Sequence, residues 1–343
     1  MTREEISARL EELRGGITYL AAFDELDDEQ RSAWDAATVE FEQLSERAQL
    51  LILDNYSDVP VEDTLRPLVQ THKNRQWIRM LRHRSNIGAD ANVMRALELS
   101  GAPWTWLLCD DDLPDSGAIA KILELTEKNP DASFINCYSP HTEHPVRHAI
   151  KRYVGLREFV EGMDSFGAIM FAPTCVFRSE EARRHLSAGY RGIYCHASHV
   201  AVVLSIMAEG GVAVLSEQVV LRYRENYRPT NSWSLLSYAM TVPLLAEFIL
   251  DPGVSRALRT RIRQSLHWPG ILKFALLLEE RCGWNGAGRR AYALAVSRAF
   301  VGARPELSWV VAKILGCSLR TPRVSMAVID RIARVLRGTA IFR

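Results

Sequence analysis

Short, largely apolar runs alternate with amphipathic stretches along the first two-thirds of the chain. The runs at 17–23, 50–53, 77–81, 106–109 and 133–137 carry little or no polar alternation. Strands covered on both faces read this way. Between them, residues 31–47, 61–70, 90–99 and 116–127 space their apolar positions three and four apart. That spacing puts them on one helix face. Strand alternating with helix predicts an α/β fold with a mostly parallel sheet and flanking helices. Beyond residue 230 the pattern is helical throughout, over 235–250, 258–266, 271–278, 291–300 and 324–336, broken by Pro252, Pro269, Gly286 and Pro305. Two domains are therefore expected: an α/β domain over 1–230 and an all-helical C-terminal subdomain over 231–343, packed on the first domain or on a second copy in a homodimer.

Polar side chains then appear where apolar runs end. Residues 50–53 run into Asp54-Asn55-Tyr56-Ser57-Asp58, residues 77–81 into a loop holding Arg84 and Asn86, and residues 106–109 into Asp110-Asp111-Asp112. In parallel sheets, ligands bind outside the carboxyl ends of the strands. Three adjacent carboxylates repel one another, and burying unpaired charge costs several kcal/mol. A divalent cation would hold them together, and hard oxygen donors suit Mg²⁺ or Mn²⁺. The plainer alternative is an acidic turn capping the following helix. No G-x-x-x-x-G-K-[ST], no G-x-G-x-x-G after the first strand and no G-x-S-x-G is present. A phosphate-bearing ligand would thus be held by metal and side chains rather than by a glycine loop.

Composition adds context. The six cysteines are scattered without a C-x-x-C pair, as in a chain of free thiols from a reducing cytosol. The polar start, Met1 to Glu5, does not read as a signal peptide, and the uncharged apolar run 235–246 is too short to span a membrane. A net charge of +1 hides an asymmetry: residues 251–343 hold 17 Lys and Arg against 5 Asp and Glu, and the first 250 hold 25 against 36. The basic amphipathic segment around Arg320 to Arg337 suits peripheral contact with an anionic membrane surface. A basic face on an ordinary packed helix is the commoner case. Nucleic acid is not expected as a partner, because no aromatic platform accompanies the basic residues.

The order of four segments, namely the first strand over 17–23, the strand ending in Asp54 to Asp58, the loop Arg84 to Gly88 with Asn92 and its helix, and the run ending in Asp110–Asp112, resembles the family 2 glycosyltransferases of the GT-A fold. The stretch 86–112 is most similar to their abequosyltransferase-like branch. The resemblance spans roughly 15–225. It implies a metal-assisted, inverting transfer of a hexosyl or deoxyhexosyl group from a nucleotide sugar to the hydroxyl of a glycan, lipid-linked saccharide or small molecule. It also implies roles. Asp54 matches the acid that hydrogen-bonds the donor nucleobase, and Tyr19 and Ala21 match the first-strand end that cradles the base. Arg84 and Asn86 match contacts to base, ribose or phosphate. Asp110, Asp111 and Asp112 match the DXD metal motif, with Asp111 and Asp112 as the metal ligands.

One part departs from the family pattern. Where relatives carry a Glu-Asp pair at the start of a helix, this chain has His196-Ala197-Ser198-His199. An imidazole near pKa 6.5 is a competent base at neutral pH. His199 is therefore the candidate base, with His196 as its alternate. Six of the nine histidines lie between 141 and 199, but no H-E-x-x-H occurs, which argues against a zinc hydrolase. Two rival readings stand beside glycosyl transfer. A GT-A-like nucleotidyltransferase would show a glycine-rich segment after the first strand, which is missing. A non-catalytic sugar-nucleotide or glycan-binding scaffold would explain the missing acid at 198–199.

Overall fold

The computed structural model describes residues 43–44, 47–71, 75–109, 112–139, 147–222 and 241–265. They fall into two compact units. One holds the described residues up to 222, apart from 165–167 and 194–196; those two segments belong with 241–265. The expected first strand and most of the expected helix over 31–47 lie outside the described residues, as do the helices expected beyond 265.

The first unit opens with β1 (Leu50–Asp54), α1 (Val61–Thr71) and β2 (Ile78–Arg82), a β-α-β step whose strands pair in parallel from Leu50 with Ile78 to Asp54 with Arg82. The parallel register sets Asp54 and Arg82 side by side at the carboxyl ends of both strands. The chain continues through α2 (Ala89–Leu99), β3 (Trp104–Trp106), β4 (Leu113–Pro114), α3 (Ala118–Lys128) and β5 (Phe134–Tyr138). After β6 (Lys151–Val154) and α4 (Gly155–Gly162) come β7 (Cys175–Arg178), α5 (Ser179–Arg184) and α6 (Leu186–Arg191). The unit closes with α7 (Ser198–Ala208), β8 (Val212–Val219) and β9 (Leu221–Arg222).

Strands β3-β7-β5-β8-β6 form a mixed five-stranded sheet in that order. Its central pair, β5 and β8, is parallel; β7 and β6 run antiparallel to their neighbours. The α/β class expected from the apolar runs is what the chain forms. The core gathers at β5, where the fully buried Phe134 meets Phe177 at 5.2 Å and Phe159 edge-on at 6.4 Å between ring centroids. Cys137 and Cys175 lie in the same layer, and burial pushes both thiols up to about 12. They are inert packing residues at neutral pH.

Two helices differ from the sequence expectation in ways that matter for the site. The helix expected over 90–99 begins at Ala89, preceded by Gly88 at φ 85, and Asp90 lies in its first turn. Asp90 Oδ1 accepts the Ser198 N–H of α7 at 2.9 Å. Helix α7 starts after Ala197, which has no side-chain oxygen to offer. An orphan N–H at a helix start needs an acceptor, and Asp90 supplies it from the neighbouring helix. Gly189 permits that closeness, since a Cβ there would stand 2.2 Å from Met94 Sδ of α2 and 2.8 Å from Val202 Cγ2 of α7.

The run expected as a strand over 106–109 also moves. The ladder covers Trp104–Trp106 and lies at the sheet edge, antiparallel to β7. Its partner stops there because the chain before Cys175 is a tight 3₁₀ turn, Ala172–Thr174, containing Pro173. Proline has no N–H to continue a ladder. Leu107 keeps one bond to the Cys175 carbonyl at 3.3 Å, and Leu108 is left 39% exposed.

In the second unit a 3₁₀ segment, Val242–Phe248, precedes α8 (Pro252–Ser265). Val254, Leu258 and Ile262 form the buried stripe of α8. Pro252 takes the first helical position, where its missing N–H costs nothing. No described helix is long and apolar enough to cross a membrane.

Candidate functional site

The best-defined polar constellation lies at the carboxyl ends of β1 and β2. Asp54 is buried, 4% exposed. Its Oδ1 accepts the Ser57 N–H at 2.8 Å and its Oδ2 the Val61 N–H at 3.1 Å, so it closes the turn and caps α1. Arg82 Nε stands 3.6 Å from the same Oδ2, and Arg82 Nη2 donates to the Ser57 carbonyl at 2.7 Å. Burial alone would raise the Asp54 pKa. The donors from Ser57 and Val61 and the charge of Arg82 outweigh it and hold the carboxyl below its ordinary 3.8. Above Asp54, the Tyr56 ring lies against the Arg82 guanidinium, 4.9 Å from centroid to carbon.

The neighbouring loop is stitched to this turn by paired amides. Asn55 Nδ2 donates to Asn86 Oδ1 at 3.1 Å, and Asn55 Oδ1 accepts the Ile87 N–H at 3.0 Å. Asn86 Oδ1 also accepts the Gly88 N–H at 2.9 Å, which sets the bend that starts α2. Arg84 lies exposed on the same loop. The structure thus brings Asp54, Asn86 and Arg84 to one edge, as their positions at strand ends imply. Through α2 that edge reaches Asp90 and the start of α7.

Of the acidic triplet, only Asp112 is among the described residues. Its N–H turns back to the Cys109 carbonyl at 3.3 Å, and the next residues, β4, pair with β9, Leu113 opposite Arg222. Asp115 N–H to the Val220 carbonyl at 2.8 Å, with Lys121 Nζ on Asp115 at 2.5 Å and on the Val219 carbonyl at 3.0 Å, fixes that pairing. The part-buried Asp112 is therefore carried on a short, firmly held strand. Its hard oxygen donors fit Mg²⁺ or Mn²⁺. Among the described residues no three His, Cys, Asp or Glu side chains cluster as a metal site. Asp110 and Asp111 lie outside the described residues, as do Tyr19, Ala21, His141 and His144.

The histidines at α7 separate. His199 is 5% exposed and its Nε2 donates to the Ile169 carbonyl at 3.1 Å. Burial pushes its pKa down against the opposing pull of Asp90. It is neutral at pH 7, as a base must be, but the residue is buried. His199, expected as the base, is enclosed here, because α7 is mostly apolar around its circumference and its first turn is buried in the core. His196 stands just before the helix, half-buried, at φ 53.

The depressed His199 pKa has a sign that can be tested. Protonation favours the unfolded chain, so this contribution to stability is present above about pH 6.5 and is lost as pH falls toward the lower folded value. Melting temperatures measured between pH 7.5 and 5 should fall for the wild type and fall less for His199→Gln. Parallel slopes would contradict the assignment.

Three features escaped the sequence reading. Tyr56 and Arg82 show only as an aromatic inside a polar turn and as the last residue of a strand; the parallel register is what joins them. Arg147 is 6% exposed and holds the end of β5: Nη1 donates to the Asn136 and Ser216 carbonyls at 2.9 and 3.1 Å, and Nη2 to Asn136 Oδ1 at 2.7 Å.

Comparison with known proteins places the fold. No protein-family model matches the sequence, and no curated protein matches it. Among solved structures, S. aureus TarS residues 1–349 superimposes with a TM-score of 0.51 at 12% identity, covering 84% of this chain and 83% of that one. The same protein in complex with UDP-GlcNAc superimposes with a TM-score of 0.55 at 11% identity, covering 84% of each chain. The likeness is one of fold, and it agrees with the GT-A-type α/β fold that the sequence resemblance implies.

Proposed function

We propose that the chain is a glycosyltransferase that moves a sugar from a nucleoside-diphosphate sugar to a hydroxyl acceptor with a divalent cation. The observation that carries this reading is the likeness of fold to TarS bound to UDP-GlcNAc. The polar edge at β1 and β2 supports it, because that edge lies where such a fold presents a ligand. Asn55 and Asn86 fix the loop that would meet the nucleoside, with Arg84 beside it as a cation for phosphate. Asp112, with Asp110 and Asp111, would hold Mg²⁺ or Mn²⁺. Such an ion neutralises the charge that grows on a departing diphosphate. The acceptor hydroxyl must lose a proton, and His196 is the histidine near α7 that is not enclosed.

One observation favours a second reading. With His199 enclosed and no acid at 198–199, a scaffold that binds sugar nucleotides without turning them over fits the start of α7. Thermal melts with UDP, GDP or dTDP, each with and without Mn²⁺, test binding. At a ligand concentration 100 times Kd the expected stabilisation is about 2.7 kcal/mol. One nucleotide should raise the melting temperature, and more so with metal. No shift with any of the three would remove both readings.

A further inference from the structure

Tyr56 combines three properties that ordinary packing does not explain. It adopts φ 68, a left-handed conformation that L side chains rarely take. It leaves 51% of its surface exposed. Yet one face of its ring is covered by a guanidinium tied down at two points, to the Ser57 carbonyl and to Asp54. A turn that merely needs positive φ is served by glycine or asparagine. A tyrosine there accepts strain without gaining core burial. Strain retained by surrounding structure is a pointer to function.

The arrangement also runs against the role implied for Asp54. Both of its oxygens are engaged by backbone N–H groups and it is 4% exposed. It meets a ligand only through what it holds, namely Arg82 and the 55–57 turn. Arg82 polarises the Tyr56 ring from one side. A ring backed by positive charge is a poor partner for sugar C–H groups, which prefer an electron-rich face. It is a good partner for a stacked heterocycle bearing carbonyl oxygens. Stacking on an aromatic side chain tolerates any base, because every base has a π-face.

We propose that Tyr56, backed by Arg82, is the stacking platform for the donor's nucleobase, and that Asp54 is a positioning residue rather than a contact to the base. The proposal rests on the nucleotide-sugar reading above. It predicts a split between the base and the diphosphate. Tyr56→Gly relieves the strained turn, so its melting temperature should equal or exceed that of the wild type. Binding of UDP or GDP with Mn²⁺, measured by calorimetry, should weaken by about 10- to 100-fold. Binding of Mn²⁺ with inorganic pyrophosphate, which has no base, should stay within about twofold on the same affinity scale. Tyr56→Phe keeps the ring and should retain nucleotide binding. Asp54→Asn removes the charge that orients Arg82 and should show the same split as Tyr56→Gly, in smaller measure. A Tyr56→Gly chain that binds nucleotide as well as the wild type, or that loses pyrophosphate equally, overturns the platform while leaving the nucleotide reading intact. A wild type that binds pyrophosphate but none of UDP, GDP and dTDP overturns the two together.

Discussion

Replacing Arg147 with methionine should cost the folded chain about 3–5 kcal/mol, the usual consequence of breaking a buried charge network by removing one member. The guanidinium is 6% exposed and is shared among two carbonyls, the Asn136 amide oxygen and the Asp164 carboxylate, the last at 3.3 Å. Methionine fills much of the volume but donates nothing, so those acceptors lose their hydrogen bonds in a water-poor interior. Burial lowers the pKa of Arg147 while Asp164 raises it, which marks a charge kept inside only by its partners. The network ties the end of β5 to β8 where their register shifts between Asn136 and Tyr138, so loosening should spread into the central pair of the sheet. Urea unfolding measures the loss. Arg152→Met is the control: its partner Asp131 and its own side chain are solvent-exposed, and such pairs contribute about 0–1 kcal/mol. Equal effects for both variants would refute the assigned role.

Asp112→Asn should reduce sugar transfer by at least about 100-fold, the scale seen when one electrostatic group at a reacting centre is removed. The amide is nearly isosteric, so the turn to the Cys109 carbonyl and the β4–β9 pairing should persist. Melting temperature without metal should therefore hardly change. The second readout is Mn²⁺ itself. The stabilisation that Mn²⁺ plus nucleoside diphosphate gives the wild type should vanish in the variant. Retained Mn²⁺ stabilisation would move the metal elsewhere.

Much of the α/β part is legible in the sequence because apolar runs and helix-period stretches alternate cleanly from 50 to 137. The Asp54 and Asn86 loops read as neighbours because both follow apolar runs. What stayed hidden depends on tertiary partners. Nothing local says that Asp90 will leave its own helix to cap α7, since that follows from Ala197 having no side-chain acceptor and Gly189 allowing close approach. The strand before the acidic triplet ends early because Pro173, 67 residues away from Trp106, curls its partner; the Trp106 indole donates to that proline's carbonyl. A helix does begin within residues 196–199, at Ser198, but period alone cannot tell an exposed first turn from a buried one. Arg147 sits in a histidine-rich stretch of sequence with nothing local to mark it as buried; only the sheet around it makes it so.

Transfer from a nucleotide sugar shows itself in product formation. The full chain would be incubated with UDP-, GDP- and dTDP-sugars, with Mn²⁺ or with chelator, with water or an added sugar as the acceptor hydroxyl, and release of nucleoside diphosphate followed. Release should come from donors of one nucleotide class, depend on Mn²⁺, be absent in Asp112→Asn and be strongly weakened in Tyr56→Gly at low donor concentration. No release from any donor, with a nucleotide still stabilising the fold, would contradict the enzyme and leave a binding scaffold.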